Sequence, residues 1–553
     1  MRYYEQSPLR HMGDVPSAGA RRYGDETAVA YRGSEQSYDE LETRSNRLAN
    51  ALVTSGIESG ERVGIYMENN LEWLAALFGV IKSGAVAVPL NFRRAIPGTT
   101  HVLADAGIDT VIGSSPFAEA FEHLHEDGAV SQVSVVGADD EHAFTAYEDW
   151  LADRSRTFDR PARGFDDVAL QCYTSGTTGD PKGVPVSHRN LLTTLNSFDM
   201  LTGTDPETGV VVTISPLFHM MGLTGTALLA LYTGRTLIMK NTPEPDALLD
   251  AITEHGATDF AAVPTIYMGM VRELEANPEQ YDIDSIDSLG TGAAPLPDDT
   301  RRKIEGTFGV PLGEGWGTTE TAAAGTTDAA RGVQKGAGCI GQPIPGVELK
   351  LVDPSTRETR VPPEHLDPTT PADLTGYEPD FDDEPSYTGE IAIRGPQIFE
   401  GYHDMPEQTA AAFDDEGWFY TKDIARVDED RFLWMVDRAD DMLVVGGENV
   451  YPAEVEDELF FHPAVAEAAV VAAPHETKGE APVAYVVTEE GDAITEDELR
   501  RFALDRVASY AHPRRVFFVD ELPKSATQKV QRYKLEERVE ADLDGPLTTS
   551  DRL

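Results

Sequence analysis

A formal charge of −51, from 96 acidic against 45 basic residues, excludes nucleic acid and anionic membranes as natural partners, since no basic block stands out against it. At 553 residues and 41% hydrophobic content the chain exceeds a single core, divides into at least two domains and is not wholesale disordered. Its two cysteines, Cys172 and Cys339, are too few and too far apart for a disulfide framework or a zinc site.

Self-repulsion on this scale strains a compact state in dilute buffer. Near molar salt the Debye length falls to about 3 Å and the repulsion is screened. Acids spread along the whole chain, with scarce lysine, therefore point to a salt-rich cytoplasm, as in a halophile. Residues 1–6 lack the apolar core of a signal peptide, and apolar runs such as 74–81 stop well short of a membrane span. A soluble cytoplasmic protein is expected.

In chain order, apolar residues recur at helical spacing over 38–52, a strand follows at 62–67, a helix runs through 73–77 and a strand through 85–90. This alternation predicts an α/β fold of layered, mostly parallel strands. Residues 168–172 read as a buried strand, and Ser187 can cap a helix that starts at His188 with Leu191, Leu192 and Leu195 on one face. Between strand and helix stand Thr174, Ser175, Gly176, Thr177, Thr178, Gly179 and Lys182. Glycines bring backbone N–H groups close to an anion, hydroxyls donate further hydrogen bonds, and lysine adds a mobile positive charge. A polyphosphate suits such a loop. The Walker pattern is absent: two residues, not four, separate Gly176 from Gly179, and Pro181 precedes Lys182.

A strand at 210–214 leads into Pro216, Leu217, Phe218 and His219. A second strand–turn, at 288–296, carries Gly292, Ala293, Ala294 and Pro295, small residues that let a ligand approach the backbone. Over 315–321, Trp316 offers a flat apolar face, Thr319 a hydroxyl donor and Glu320 a hard oxygen ligand suited to Mg²⁺, with Gly317 and Thr318 between them. Residues 353–385, rich in Pro, Asp, Glu and Thr and without periodicity, read as an exposed acidic insertion between strands at 347–352 and 389–394. Asp423 lies within 417–425, and the run 437–456 opens with Asp437 and Arg438. The last hundred-odd residues read as a small α/β domain with a helix at 454–460 and strands at 468–472 and 483–487; Lys529 stands three residues before Arg532.

In this order and spacing the motifs resemble the adenylate-forming superfamily, which includes acyl- and aryl-CoA synthetases, peptide-synthetase adenylation domains and firefly-type luciferases. The resemblance spans about 38–532. It implies a large N-terminal adenylation domain, 1–438, of layered α/β subdomains with a β-rich part, and a small mobile α+β domain, 439–553. It also implies an acid–CoA ligase working through an acyl-adenylate, with ATP, Mg²⁺ and coenzyme A as cofactors and a small carboxylic acid as substrate. Residues 174–179 and Lys182 then hold the phosphates, and 292–295 lie along the nucleotide. Trp316 stacks on adenine, Gly317, Thr318 and Thr319 are cofactor-binding positions beside it, and Glu320 with Thr177 takes Mg²⁺. Asp423 and Arg438 hold the ribose, Asp440 is the hinge, Gly446 and Gly447 line the pantetheine tunnel, and Lys529 is the catalytic lysine.

His219 gates the acyl pocket in this resemblance. Amino-acid-activating relatives carry aspartate in that motif, so an acid without an α-amine is expected. Acetate-activating relatives carry tryptophan at the place of Gly317, so glycine implies a larger acid. A medium- to long-chain fatty acid comes first, an aryl or cinnamate-type acid second, and the charging of a separate carrier protein remains an alternative. The sequence departs from the family at Trp316, usually tyrosine, and at Lys422 and Gln528, usually glycine. A homodimer is compatible with the sequence.

Overall fold

The computed structural model describes residues 9–548 apart from 94–95, 138–143, 175–180, 203–208, 293–295, 297, 329–334, 440, 446–447, 489–493, 505, 525–529, 544 and 546. Its described residues form three sheets. The first runs Thr145–Ala146, Gln132–Val136, Thr110–Ser114, Arg62–Tyr66, Val86–Pro89, Val168–Thr174, Lys182–Ser187. All neighbours are parallel except the last pair. Parallel strands are covered on both faces, which is why Val63, Ala87, Val88 and Ile112 can all be apolar and all be buried.

The helices that cover this sheet follow from their sequences. Tyr38–Thr54 starts with a capping box in which Ser37 and Glu40 satisfy each other's backbone N–H groups. Leu71–Ser83 is apolar on every side and is buried from Trp73 onward, as a core helix must be. Its one buried charge, Lys82, is met by Glu42, Ser45 and Asn46.

The second sheet has 14 strands and changes character half-way. Its parallel half includes Thr27–Tyr31, Thr236–Met239, Val210–Thr213, Asp259–Ala261, Ser288–Thr291 and Leu312–Trp316. An antiparallel half continues through Thr326–Thr327, Cys339–Pro343, Leu433–Arg438, Phe419–Val427, Thr388–Arg394, Glu348–Val352 and Thr359–Val361. Residues more than a hundred positions apart in sequence thereby become lateral neighbours.

The third sheet is separate. It joins Glu448–Val450, Leu443–Val445, Gly479–Thr488 and Val465–His475, with Arg515–Phe518 parallel to Gly479–Thr488. Helices Pro452–Phe460 and Glu496–Leu504 accompany it, and Leu443, Val455, Leu459, Val470 and Leu499 share one core. Ala469, Val471, Val483, Leu535 and Val539 form another, with helix Arg532–Asp542. The expected α/β class, with a large first part and a small α+β last part, is what the chain adopts.

Two local expectations are corrected. The polyphosphate stretch does not run from strand directly to helix: Lys182–Ser187 is itself a strand, antiparallel to Val168–Thr174, with Thr174 opposite Lys182. The helix His188–Thr202 follows only then, with Ser187 Oγ accepting from Asn190 N at 3.1 Å as its predicted cap. The acidic insertion is more structured than its composition suggests. It contributes the edge strand Thr359–Val361, buries His365 and Leu366, and lets Arg431 donate to three of its carbonyls, those of His365, Asp367 and Thr370. Among the described residues no helix is long and apolar enough to cross a membrane.

Candidate active site

The hairpin fixes both described ends of the polyphosphate stretch. At its start, the Tyr173 hydroxyl donates to Asp105 at 2.6 Å and accepts from Gln171 at 2.9 Å. At its end, Lys182 lies with its Nζ 5.2 Å from the centre of the Tyr402 ring. Ser175, Gly176, Thr177, Thr178 and Gly179 lie outside the described residues, as do Ala293, Ala294, Pro295, Asp440, Gly446, Gly447 and Lys529.

The change of sheet direction after Leu312–Trp316 brings the other predicted residues together. Trp316 Nε1 donates to Asp423 Oδ2 at 2.9 Å, and Arg438 Nη1 stands 3.3 Å from Asp423 Oδ1. Asp423 and Arg438 are directly opposed in adjacent antiparallel strands, so strand register alone pairs them. Asp423 is 5% exposed, and of a carboxylate's roughly four lone-pair sites these two contacts engage one on each oxygen. Gly292 sits at the end of the neighbouring parallel strand, where a Cβ would come 3.1 Å from the Gly315 carbonyl.

Trp316 is less open than its sequence context implies. One side of its six-membered ring lies on Gly325, where a Cβ would meet Cζ3 at 2.4 Å. The role sequence reasoning missed is the indole N–H, which orients Asp423. Below it, Arg301 lies between Glu314 and Asp328, at 3.4 Å from each, all three buried. Burial pushes Glu314 up to about 8 and Asp328 up to about 6, against the pull of Arg301. The triad ties Leu312–Trp316 to helix Asp298–Phe308.

Beyond Trp316 the chain turns sharply. Thr318 N donates to Thr321 Oγ1 at 2.9 Å, and Ala322 and Ala323 take left-handed φ values of 52° and 82°. Such angles cost a residue with a Cβ about 1–2 kcal/mol each. The turn folds Ala323 back onto Gly317, where a Cβ would lie 2.3 Å from the Ala323 carbonyl oxygen. Backbone crowding alone therefore accounts for glycine here, beside the acyl-pocket reading.

Glu320 projects from this turn. Its Oε1 accepts from the Tyr402 hydroxyl at 3.1 Å, and its carbonyl accepts from Phe399 N at 2.9 Å. Burial, with the Glu320 charge adding to it, pushes the Tyr402 phenol well above its usual value. Among the described residues no three His, Cys, Asp or Glu side chains gather into a metal cage. A single carboxylate nevertheless fits Mg²⁺ that arrives on ATP, because this ion keeps waters and phosphate oxygens and takes only one or two carboxylates.

His219 follows the strand Val210–Thr213 and precedes a wide helical turn, Met221–Leu228, closed by i→i+5 hydrogen bonds. Its ring packs 4.5 Å from that of Phe218, in a pocket shared with Pro89, Leu90, Asn91, Val102 and Tyr173. Burial, helped by Arg93, lowers His219 to about 4, so the ring is neutral at pH 7. Its Nε2 is buried with no hydrogen-bond partner among the described residues.

Lys422 keeps the backbone shape of the glycine it replaces. Its φ is 64°, its N–H donates to the buried Glu390 carboxylate at 2.8 Å, and its carbonyl accepts from Ala439 N at 2.7 Å. Arg532 is held by Glu456 at 2.6 Å and Asp441 at 3.1 Å.

This geometry has known counterparts. The sequence profile of the AMP-binding enzyme family matches residues 17–403, and that of the AMP-binding enzyme C-terminal domain matches 454–529. The chain belongs to the AMP-binding enzyme family. It is 34% identical over 535 residues to a feruloyl-CoA synthase of an Amycolatopsis species, covering 95% of this chain and 99% of that relative. It is 29% identical over 559 residues to a long-chain-fatty-acid–CoA ligase of Bacillus subtilis, covering 96% and 94%. Among solved structures, ATP-bound MatB from Rhodopseudomonas palustris superposes with a TM-score of 0.82 at 29% identity, covering 95% of this chain and 98% of that one. This family member is an AMP-forming acid–CoA ligase that uses ATP, Mg²⁺ and CoA and works through an acyl-adenylate.

Proposed function

We propose that this ligase activates a hydrophobic carboxylic acid without an α-amine, a medium- to long-chain fatty acid in the first reading. The observation that carries it is His219: a neutral ring beside Leu90, Val102 and Phe218, with no carboxylate among the described pocket-lining residues to hold an ammonium group. An aryl, cinnamate-type acid is the second reading, and it has its own support. Phe92 meets Phe218 edge-on at 5.1 Å and Tyr66 meets Phe117 edge-on at 5.2 Å, surroundings that suit a planar ring.

A carboxylate attacking the α-phosphate of ATP meets repulsion between anions, so the chain's task is positioning and charge neutralisation. Lys182 and the hydroxyls and backbone of 174–179 bind the phosphates, and Gly292 to Pro295 pass along the nucleotide. Asp423, oriented by Trp316 and Arg438, accepts the ribose hydroxyls, and the indole side away from Gly325 receives adenine. Glu320 with Thr177 would hold Mg²⁺, which neutralises phosphate charge when bound. Lys529 bridges the substrate carboxylate and the α-phosphate. The domain boundary lies at 438/439, and rotation about Asp440 brings the Gly446–Gly447 backbone to the site for CoA and excludes water. A charge of −51 fits work in a salt-rich cytoplasm.

Pyrophosphate release in about molar KCl, where surface repulsion is screened, tests this reading. Acids from acetate to palmitate, with benzoate and cinnamate, are compared with and without CoA. CoA-dependent turnover favouring the longer fatty acids supports the first reading, and a preference for cinnamate moves the second ahead. Release indifferent to CoA favours carrier-protein charging. Release on no acid refutes the proposal.

A further inference from the structure

The segment 399–403 threads between two parts of the site that come from different sheets. Phe399 N and the Tyr402 hydroxyl both bind Glu320, as described above, while His403 N donates to the Gly183 carbonyl at 2.9 Å. Gly183 directly follows Lys182, whose ammonium rests on the Tyr402 ring, inside the roughly 6 Å range of a cation–π contact. The segment is itself anchored. Tyr402 N donates to Thr409 Oγ1 at 2.9 Å, and the rings of Phe399 and Tyr402 meet edge-on at 4.9 Å. Gly401, at φ 148°, lets Thr409 come this close: a Cβ there would lie 2.5 Å from Thr409 Cγ2.

We propose that Tyr402 is a positioning residue for the adenylation step, its hydroxyl fixing the Glu320 carboxylate and its ring seating Lys182, so that both are held in one frame. This rests on the reading of Glu320 as the Mg²⁺ ligand. A glutamate on a tight turn has three side-chain torsions to lose on binding a cation, and a hydrogen bond to one oxygen restricts them beforehand. Oε1 is the oxygen so held, which leaves Oε2 to face the ion. Partners of this kind behind a metal ligand typically change metal affinity or activity by about 10–100-fold when removed. Lys182 responds to the same side chain, so one residue tunes both the cation and the lysine that meet the triphosphate.

Tyr402→Phe removes only the hydroxyl and keeps the ring under Lys182 and against Phe399. The expected result is a rise of about tenfold or more in the Mg²⁺ concentration that half-saturates pyrophosphate release, with an unchanged KM for the acid and an unchanged unfolding midpoint. Tyr402→Leu removes the ring as well and raises the KM for ATP further. Glu320→Gln is the reference, and adding Tyr402→Phe to it produces no further rise in Mg²⁺ demand. The proposal is overturned by Tyr402→Phe with wild-type Mg²⁺ dependence while Glu320→Gln is impaired. Wild-type Mg²⁺ dependence in Glu320→Gln overturns the Mg²⁺ reading itself, and this proposal with it.

Discussion

A methyl group added at Gly317 separates two explanations of the glycine. On this backbone the new Cβ would lie 2.3 Å from the Ala323 oxygen, 2.5 Å from its carbonyl carbon and 2.7 Å from Ala324 N. Non-bonded heavy atoms settle at about 3.5 Å, so the Ala323–Ala324 peptide must retreat by roughly 1 Å. That peptide has little freedom: Ala323 N is bonded to Thr318 O at 3.0 Å and Gly325 N to Trp316 O at 2.9 Å. Overpacking against a held backbone costs about 1–3 kcal/mol. Gly317→Ala should therefore lower the unfolding free energy by that amount, read as a lower urea midpoint at unchanged slope, in about molar KCl. Its kcat/KM should fall by a similar factor for every acid, because Trp316 and Glu320 flank the displaced turn. Gly317→Trp should fall further, with no shift toward acetate. A Gly317→Ala protein with wild-type midpoint would refute this reasoning. A stable Gly317→Trp protein that prefers acetate would do so too, and would favour the pocket-length meaning of the glycine.

Two further outcomes are expected. Lys422→Gly, at φ 64°, relieves about 1–2 kcal/mol of left-handed strain against about 0.5–1 kcal/mol of added chain entropy; a small rise in urea midpoint should appear, absent in Lys422→Ala. His11 and His188, buried with ring centres 3.9 Å apart, are lowered by burial to about 4 and about 2. Both stay neutral in the fold while the unfolded chain takes up protons below about 6.5, so stability is full above that pH and is lost as pH falls toward the folded values. At pH 5 the loss is about 2 kcal/mol per histidine, and His11→Asn should flatten the midpoint-against-pH curve between 7 and 5.

Local patterns in the sequence carried most of the fold. The 38–52 periodicity became Tyr38–Thr54, and the apolar runs near 62 and 85 became neighbouring parallel strands. The strand Lys182–Ser187 escaped notice because Gly183 and Pro185 inside it, and the glycines of the stretch before it, disguise a strand pattern. The pairing of Asp423 with Arg438 was legible only through family likeness, yet its cause is cross-strand register. Trp316 as a hydrogen-bond donor to Asp423, and Tyr402 beside Glu320, were not legible, because each links segments about eighty or more residues apart. At Gly317 the sequence offered only the acyl-pocket explanation, and the structure adds a local one. What fills its missing side chain is a turn six residues on, which no composition reveals.

The 14-stranded sheet also sets where this chain can gain or lose residues. One residue inserted within the paired segments 423–427 or 433–438 would slip the register that places Asp423 opposite Arg438 and turn alternate side chains to the wrong face. The acidic connector between Glu348–Val352 and Thr388–Arg394 is less bound by such a rule: those strands pair directly with each other, and beyond Thr359–Val361 and the carbonyls that Arg431 meets, its length does not set their register. Doubling a connector of that kind costs only about 0.6 kcal/mol of closure entropy. Length variation among related chains should therefore collect in the exposed part of the connector and vanish over the strands that pair Asp423 with Arg438, where every added residue is felt on both faces of the sheet.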